Sequence, residues 1–107
     1  MSLEVSLKVI QPCKIYTANI THNLNVMAEA AGIYHHLWRP DEIGIVYASQ
    51  LIEPLERALA DLRARPDHYR QYNPDNGWGR YETFLQFVEF YLVACVSHPD
   101  ATVEVSR

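Results

Sequence analysis

The sequence lacks most of the features by which a functional class is recognised. It has two cysteines, which are too few for a disulfide scaffold and do not match the spacing of zinc ligands. Its 9 Lys and Arg residues are outnumbered by 13 Asp and Glu residues, which gives a formal net charge of -4. Proteins that bind nucleic acid usually show a basic excess or a basic stripe. We therefore expect no nucleic-acid partner.

Long apolar runs and signature motifs are also missing. No run approaches the roughly 18 apolar residues that a membrane-spanning helix needs, and the start of the chain does not have the pattern of a signal peptide. Phosphate-binding loops, dinucleotide-binding glycine motifs and the serine-hydrolase elbow are absent. The sequence therefore predicts a cytoplasmic protein that needs no cofactor and contacts no membrane. This prediction makes no use of residues 1–3.

What is present is the composition of an ordinary globular domain. Apolar residues make up 49% of the chain and charged residues 21%, values typical of chains that fold around a core. A length of 107 residues predicts one soluble domain, residues 1–107. The two cysteines, Cys13 and Cys95, lie among apolar residues, so we predict that both are buried free thiols.

Both ends of the chain alternate between apolar and polar residues, which is typical of strands. In residues 4–10 the alternation places Val5, Leu7 and Val9 on one face. A Gln-Pro pair then interrupts the strand, and the segment CKIYTANI extends or resumes it. The alternation returns in residues 102–106. We expect the first and last strands to pair, because pairing satisfies the backbone groups of both.

Three main helices are predicted between these strands. In the segment THNLNVMAEAAG, apolar residues recur at helical spacing. Thr21 is a suitable N-cap for this helix, and Gly32 is suitable for the position just past the end of the helix. The second helix covers residues 48–65 and contains Pro54. We expect this helix to be kinked or broken at the proline, or to begin near Glu53 with the proline at the tolerated first position.

The last helix, residues 81–97, has a broad apolar face formed by Tyr81, Phe84, Leu85, Val88, Tyr91, Leu92 and Cys95. Phe90 and Val93 fall instead among the polar residues of the opposite side. Apolar residues there indicate a second contact surface, for another element or for a partner chain in a homo-oligomer. The predicted fold class is α+β: three main helices, one interrupted by proline, packed on a small antiparallel sheet of the N- and C-terminal strands.

Two segments are dense in polar and aromatic residues but poor in charge: ANITHN, residues 18–23, and NPDNGWGRY, residues 73–81. Each lies at the start of a predicted helix. If the two helix starts converge, they form a pocket with aromatic walls and with amide and imidazole groups for hydrogen bonding. The candidate ligand-binding residues are Asn19, His22, Asn23, Trp38, Asn76, Trp78 and Tyr81. They predict a non-enzymatic module that binds a small polar ligand, a peptide or a partner protein.

Turn and capping chemistry is the competing interpretation of the same segments. Pro74 restricts φ, and Asn76 followed by Gly77 tolerates positive φ, as in many turns. Asn and Thr near helix starts often serve only as caps, and both tryptophans can simply cover the core. Under this interpretation Trp78 and its neighbours bind nothing.

Catalysis and metal binding have less support in the sequence. The five histidines show no HxxxH or HExxH spacing, so we predict no metal site. His22 is the candidate general acid or base of a small hydrolase or transferase, but no carboxylate lies near it in the sequence to orient its ring. Cys13 as a nucleophile with His22 as its base has no support from spacing. A structural subunit that only self-associates through Phe90 and Val93 is the third alternative.

The segments NITHNL, LWRP and NGWGRY are the most specific parts of a wider resemblance. Together with ASQLIEPLERAL and PDATVEVSR they extend it over nearly the whole chain, which resembles a family of small uncharacterised proteins found in bacteria and their phages. The resemblance implies no particular activity and no functional residues. It implies that the two polar and aromatic segments are features of the family.

Overall fold

The N-terminal and C-terminal strands lie in one antiparallel sheet, as the sequence predicts. The computed structural model describes residues 2–10 and 13–107, and of Ile10 and Cys13 it describes only the backbone. The strands are β1 (Ser2–Ile10), β2 (Cys13–Thr21) and β3 (Thr102–Ser106). Their order in the sheet is β2-β1-β3, so the N-terminal strand lies in the centre and pairs with both others.

The pairing resolves the open question about the second strand. Val5 lies opposite Ala18 on one side and Val105 on the other, so the segment CKIYTANI forms a strand of its own beside β1. The predicted interruption at Gln11 and Pro12 lies outside the described residues.

A bulge changes which residues of β1 face the core. Leu3, Val5 and Leu7 are buried, but Val9 is exposed, so the prediction that Val9 shares their face is wrong. The register between β1 and β2 shifts on both sides of Lys8. An extra residue in a strand reverses the side to which the following residues point.

Five helices lie between β2 and β3: α1 (Asn25–Ala30), α2 (Tyr34–Trp38), α3 (Ser49–Ala64), α4 (Pro66–Arg70) and α5 (Tyr81–Ser97). A 3-10 turn, His22–Leu24, connects β2 to α1. Thr21 caps this turn as predicted, because its hydroxyl accepts a hydrogen bond from the N–H of Asn23 at 3.3 Å. Gly32 follows α1 with a φ of 79°, the conformation predicted for it.

Pro54 lies inside α3, which begins at Ser49, so the predicted start near Glu53 does not occur. A proline at this position removes the backbone hydrogen bond to the carbonyl of Gln50. The helix is held by its packing instead: its buried residues are Leu51, Leu55, Ala58, Leu59 and Leu62. They form the apolar stripe that the sequence predicts.

The buried residues of α5 are Tyr81, Phe84, Phe87, Val88, Tyr91, Ala94 and Cys95. Phe87 and Ala94 are not part of the predicted face, whereas Leu85 and Leu92 of that face are only half-buried. The reason is tertiary: α5 packs against both α3 and β2, so its inner side is wider than a single apolar stripe.

Cys95 is a buried free thiol, as predicted. Burial raises its pKa to about 12, and a thiol that stays protonated is a poor nucleophile. The side chain of Cys13 lies outside the described part of the chain, so its predicted burial stays a prediction. None of the helices in residues 2–10 and 13–107 combines the length and apolarity that crossing a membrane requires.

Candidate functional site

The two polar and aromatic segments meet in space. The backbone of Gly79 lies against Thr21, at the end of β2, and against Leu24 in the following turn. A Cβ on Gly79 would lie 2.8 Å from Thr21 Cγ2 and 3.0 Å from Leu24 Cγ, well inside the normal contact distance of two carbon atoms. The φ of Gly79 is 105°, which residues with a Cβ rarely adopt. Glycine at this position therefore permits the convergence of the two segments.

Side-chain amides shape the loop between α4 and α5. The Oδ1 atom of Asn76 accepts a hydrogen bond from the N–H of Trp78 at 2.9 Å, as turn chemistry predicts. The Oδ1 atom of Asn73 accepts one from the N–H of Tyr81 at 2.8 Å and so satisfies a free donor of the first turn of α5. Sequence analysis missed this role of Asn73, because eight residues separate it from the helix start. The loop leaves Trp78 69% exposed.

His22 is held by a buried tryptophan. The Nε1–H group of Trp38 donates a hydrogen bond to Nδ1 of His22 at 2.8 Å, and Trp38 is only 3% exposed. The indole of Trp38 stacks on Tyr34, with ring centroids 5.6 Å apart. Because Nδ1 accepts this bond, the neutral imidazole carries its proton on Nε2. The contact therefore determines both the orientation of His22 and which of its nitrogens donates.

An open groove of about 770 Å³ forms where the segments meet, lined by Ser2, Thr21, His22, Asn23, Asn76 and Trp78. Within the described residues its lining includes no Asp, Glu, Lys or Arg. The groove offers hydroxyl, amide and imidazole groups beside one exposed indole face. Ser2 is an addition that the sequence analysis missed, since it gave residues 1–3 no weight.

Four of the seven candidate residues line this groove: His22, Asn23, Asn76 and Trp78. Trp38 acts on it only through His22. Asn19 is exposed on β2 and lines a smaller groove against α5. The structure therefore brings four of the candidates together at one groove and places Trp38 and Asn19 elsewhere.

Tyr81, the seventh candidate, belongs to the core. It is buried, and its hydroxyl donates a hydrogen bond to the backbone carbonyl of Leu62 at 2.6 Å. In a regular helix this carbonyl would accept from the residue four positions later, but that residue is Pro66, which has no N–H. Tyr81 therefore satisfies an acceptor that the end of α3 leaves free.

His22 has no carboxylate partner among the described residues. In catalytic triads a carboxylate accepts a hydrogen bond from the Nδ1–H group of the histidine and stabilises the imidazolium that forms. Here the partner is the N–H donor of Trp38, the only hydrogen-bond partner of the His22 side chain among the described residues. The described residues also contain no group of three His, Cys, Asp or Glu side chains arranged to hold a metal ion.

Comparison of the chain with protein-family models, curated protein sequences and solved structures found no match. The resemblance in NITHNL, LWRP and NGWGRY therefore stays a prediction, and the functional argument depends on the geometry of the groove.

Proposed function

We propose that this protein is a non-enzymatic binding module that holds a small, neutral polar ligand in the groove between the end of β2 and the loop before α5. The observation that carries the proposal is the pairing of His22, oriented by buried Trp38, with the exposed indole of Trp78 across the same groove. A side chain oriented by a buried partner loses little entropy when it binds a ligand.

The chemistry of the lining suggests the class of ligand. An exposed indole offers a flat apolar surface against which a sugar ring or a planar amide can stack. The amides of Asn23 and Asn76 and the hydroxyl of Thr21 can each donate and accept hydrogen bonds. A charged ligand would find no opposite charge among the lining residues described, whereas a neutral ligand with several hydroxyl or amide groups fits all of them.

The alternative of a small hydrolase or transferase with His22 as general acid or base has weaker support. A general base needs a free lone pair directed at the substrate. Once Nδ1 has accepted the hydrogen bond from Trp38, the neutral ring presents an N–H donor at Nε2. A donor at this position suits ligand binding and argues against the general-base role; the general-acid role lacks a carboxylate partner for His22 among the described residues.

The experiment is an NMR titration that follows the two indole N–H signals, one from Trp38 and one from Trp78. A panel of neutral mono- and disaccharides and small amides is compared with charged compounds of similar size. We expect neutral compounds to shift both signals. We expect Trp78→Ala and His22→Ala to raise the Kd at least tenfold, a loss of about 1.4 kcal/mol.

Tyr47→Ala is the matched control, because Tyr47 is an exposed aromatic residue that does not line the groove. It should leave the Kd unchanged. If no neutral compound shifts the indole signals, or if His22→Ala binds as tightly as wild type, the proposal is wrong.

We also propose that the chain self-associates through Phe90 and Val93. In support, these residues are 56% and 63% exposed and lie one helical turn apart on α5, and large exposed apolar side chains often mark contact surfaces. Sedimentation velocity at micromolar concentration tests this proposal, and a monomer would contradict it. A cytoplasmic location and membership of the bacterial and phage family stay predictions.

A further inference from the structure

Most of the sheet edge formed by β2 is open to pairing with another strand. Natural edge strands are protected by charged residues, proline, a bulge or a covering segment. Residues 15–21 contain no charged residue, proline or glycine, and Lys14 and the irregular register opposite Lys8 both lie near the start of β2. The opposite edge is partly covered: Tyr47 bridges Thr102, and the N–H of Val103 donates to the carbonyl of Val46 at 2.8 Å. The two edges of the sheet are therefore not equivalent.

Helix α5 carries an uncharged stripe beside this strand. The stripe consists of Thr83, Gln86, Phe90, Val93 and Ser97, which are all exposed. Their spacing alternates between three and four residues, the spacing at which two helices pack along their length. Neither the stripe nor residues 15–21 carries a charge, so a contact along these residues would bury no ionised group. Lys14 lies outside them, at the start of β2.

Between the strand and the helix runs an apolar groove. It consists of two adjoining cavities of about 430 and 160 Å³, and both are lined by Tyr16 of β2 and Phe90 of α5. The base of the groove is aromatic: Tyr16 stacks on Tyr91 with ring centroids 5.9 Å apart, and Phe87 lies 5.9 Å from Tyr91. Val93 lines the larger cavity. The groove can receive apolar side chains from a partner.

We propose that a second copy of this chain docks here, so that two β2 strands pair antiparallel across a two-fold axis and Phe90 and Val93 of each copy enter the groove of the other. The result is a continuous six-stranded sheet. This inference rests on the proposed self-association and specifies its geometry. The face fits a second copy because it holds both halves of the contact, an open strand edge with a groove and the apolar side chains that fill it, as a two-fold interface requires.

The area reaches the lower limit for a stable dimer if the contact extends over the whole of β2, including Lys14 at its start. β2 has nine residues, which at about 3.3 Å per residue span about 30 Å. The sheet and helix layers together are about 20 Å deep. Each copy therefore covers about 600 Å², and the total of about 1,200 Å² lies at the lower end of stable interfaces.

The first experiment is sedimentation velocity on the full chain. We expect wild type to be a dimer and Phe90→Lys to be a monomer, because a lysine in the groove would bring a charge into an apolar contact. Val26→Lys is the control, since Val26 is a similarly exposed apolar residue on α1, and it should remain a dimer. Far-UV circular dichroism confirms that each variant folds.

Hydrogen exchange then tests the strand pairing. In an antiparallel pair, alternate N–H groups of an edge strand become hydrogen-bonded. We therefore expect alternate amides of residues 15–21 to exchange at least about tenfold more slowly in the wild-type dimer than in monomeric Phe90→Lys.

The outcomes separate the two proposals. A dimer whose β2 amides exchange as fast as those of Phe90→Lys overturns the strand pairing and leaves self-association through α5 intact. A dimer of Phe90→Lys, or a wild-type monomer, overturns both.

Discussion

Replacing Gly79 by alanine tests whether the convergence of the two polar segments depends on a missing Cβ. Gly77 in the same loop is the matched control: its φ is also positive, at 77°, but a Cβ there would have no atom within 4 Å. Gly77→Ala should therefore cost only the backbone strain of a positive φ, about 1–2 kcal/mol.

Gly79→Ala carries a further cost. Its added Cβ would lie 2.8 Å from Thr21 and 3.0 and 3.2 Å from two atoms of Leu24. These close contacts can be relieved only if the loop moves away from β2, and overpacking of this kind costs about 1–3 kcal/mol. Added to the backbone strain, the total loss of unfolding free energy is about 2–5 kcal/mol.

The measurement is urea denaturation of wild type and the two variants, followed by circular dichroism. We expect the midpoint to fall further for Gly79→Ala than for Gly77→Ala, with similar slopes. The NMR titration adds a second readout, since displacement of the loop separates Trp78 from His22 and should weaken ligand binding. Equal destabilisation by the two substitutions would refute the argument, because the packing of Gly79 would then contribute nothing.

Two further predictions concern other buried polar groups. Tyr81→Phe should lower the unfolding free energy by about 1–3 kcal/mol, because it leaves the carbonyl of Leu62 without a partner. Tyr91→Phe should not lower it, because the buried Tyr91 hydroxyl has no hydrogen-bond partner among the described residues. Equal losses for the two variants in urea denaturation would contradict this prediction. The pKa of His36 is lowered, first by burial and then by Arg57 and a neighbouring histidine. The unfolded chain therefore binds a proton at a higher pH than the folded chain, so stability should fall as the pH decreases below the ordinary histidine value of 6.5. His36→Gln should reduce this dependence in denaturation curves measured between neutral and acidic pH, and an unchanged pH profile would show that His36 is not its source.

Local patterns predicted much of the fold. The alternation at both ends of the chain predicted the strands, and helical spacing predicted the apolar stripe of α3. Thr21 and Gly32 were identified as the cap and the terminating residue from local chemistry alone. A cap needs a side chain that accepts a hydrogen bond, and the position just past a helix favours glycine. Exceptions occurred where a neighbouring element intervened: the bulge near Lys8 moved Val9 to the outside, and contact with β2 brought Phe87 into the core.

The candidate site could be predicted only as a set of segments. Trp38 lies in the segment LWRP and Trp78 in the segment NPDNGWGRY, yet one is buried and orients His22 while the other is exposed at the groove. Tyr81 satisfies a carbonyl on another helix because Pro66 cannot. No pattern within either segment distinguishes these roles, since each depends on a residue at least 16 positions away.

By itself, the sequence determined the fold class, the capping of the first turn, the burial of Cys95 and the low charge of the two segments, because these follow from residue type and from spacing along one element. The tertiary structure decided that Gly79 packs against Thr21, that His22 presents its Nε2 proton, and that β2 forms an open edge beside α5. These depend on which surfaces come together when the core is buried, and burial acts between elements that the local sequence does not connect.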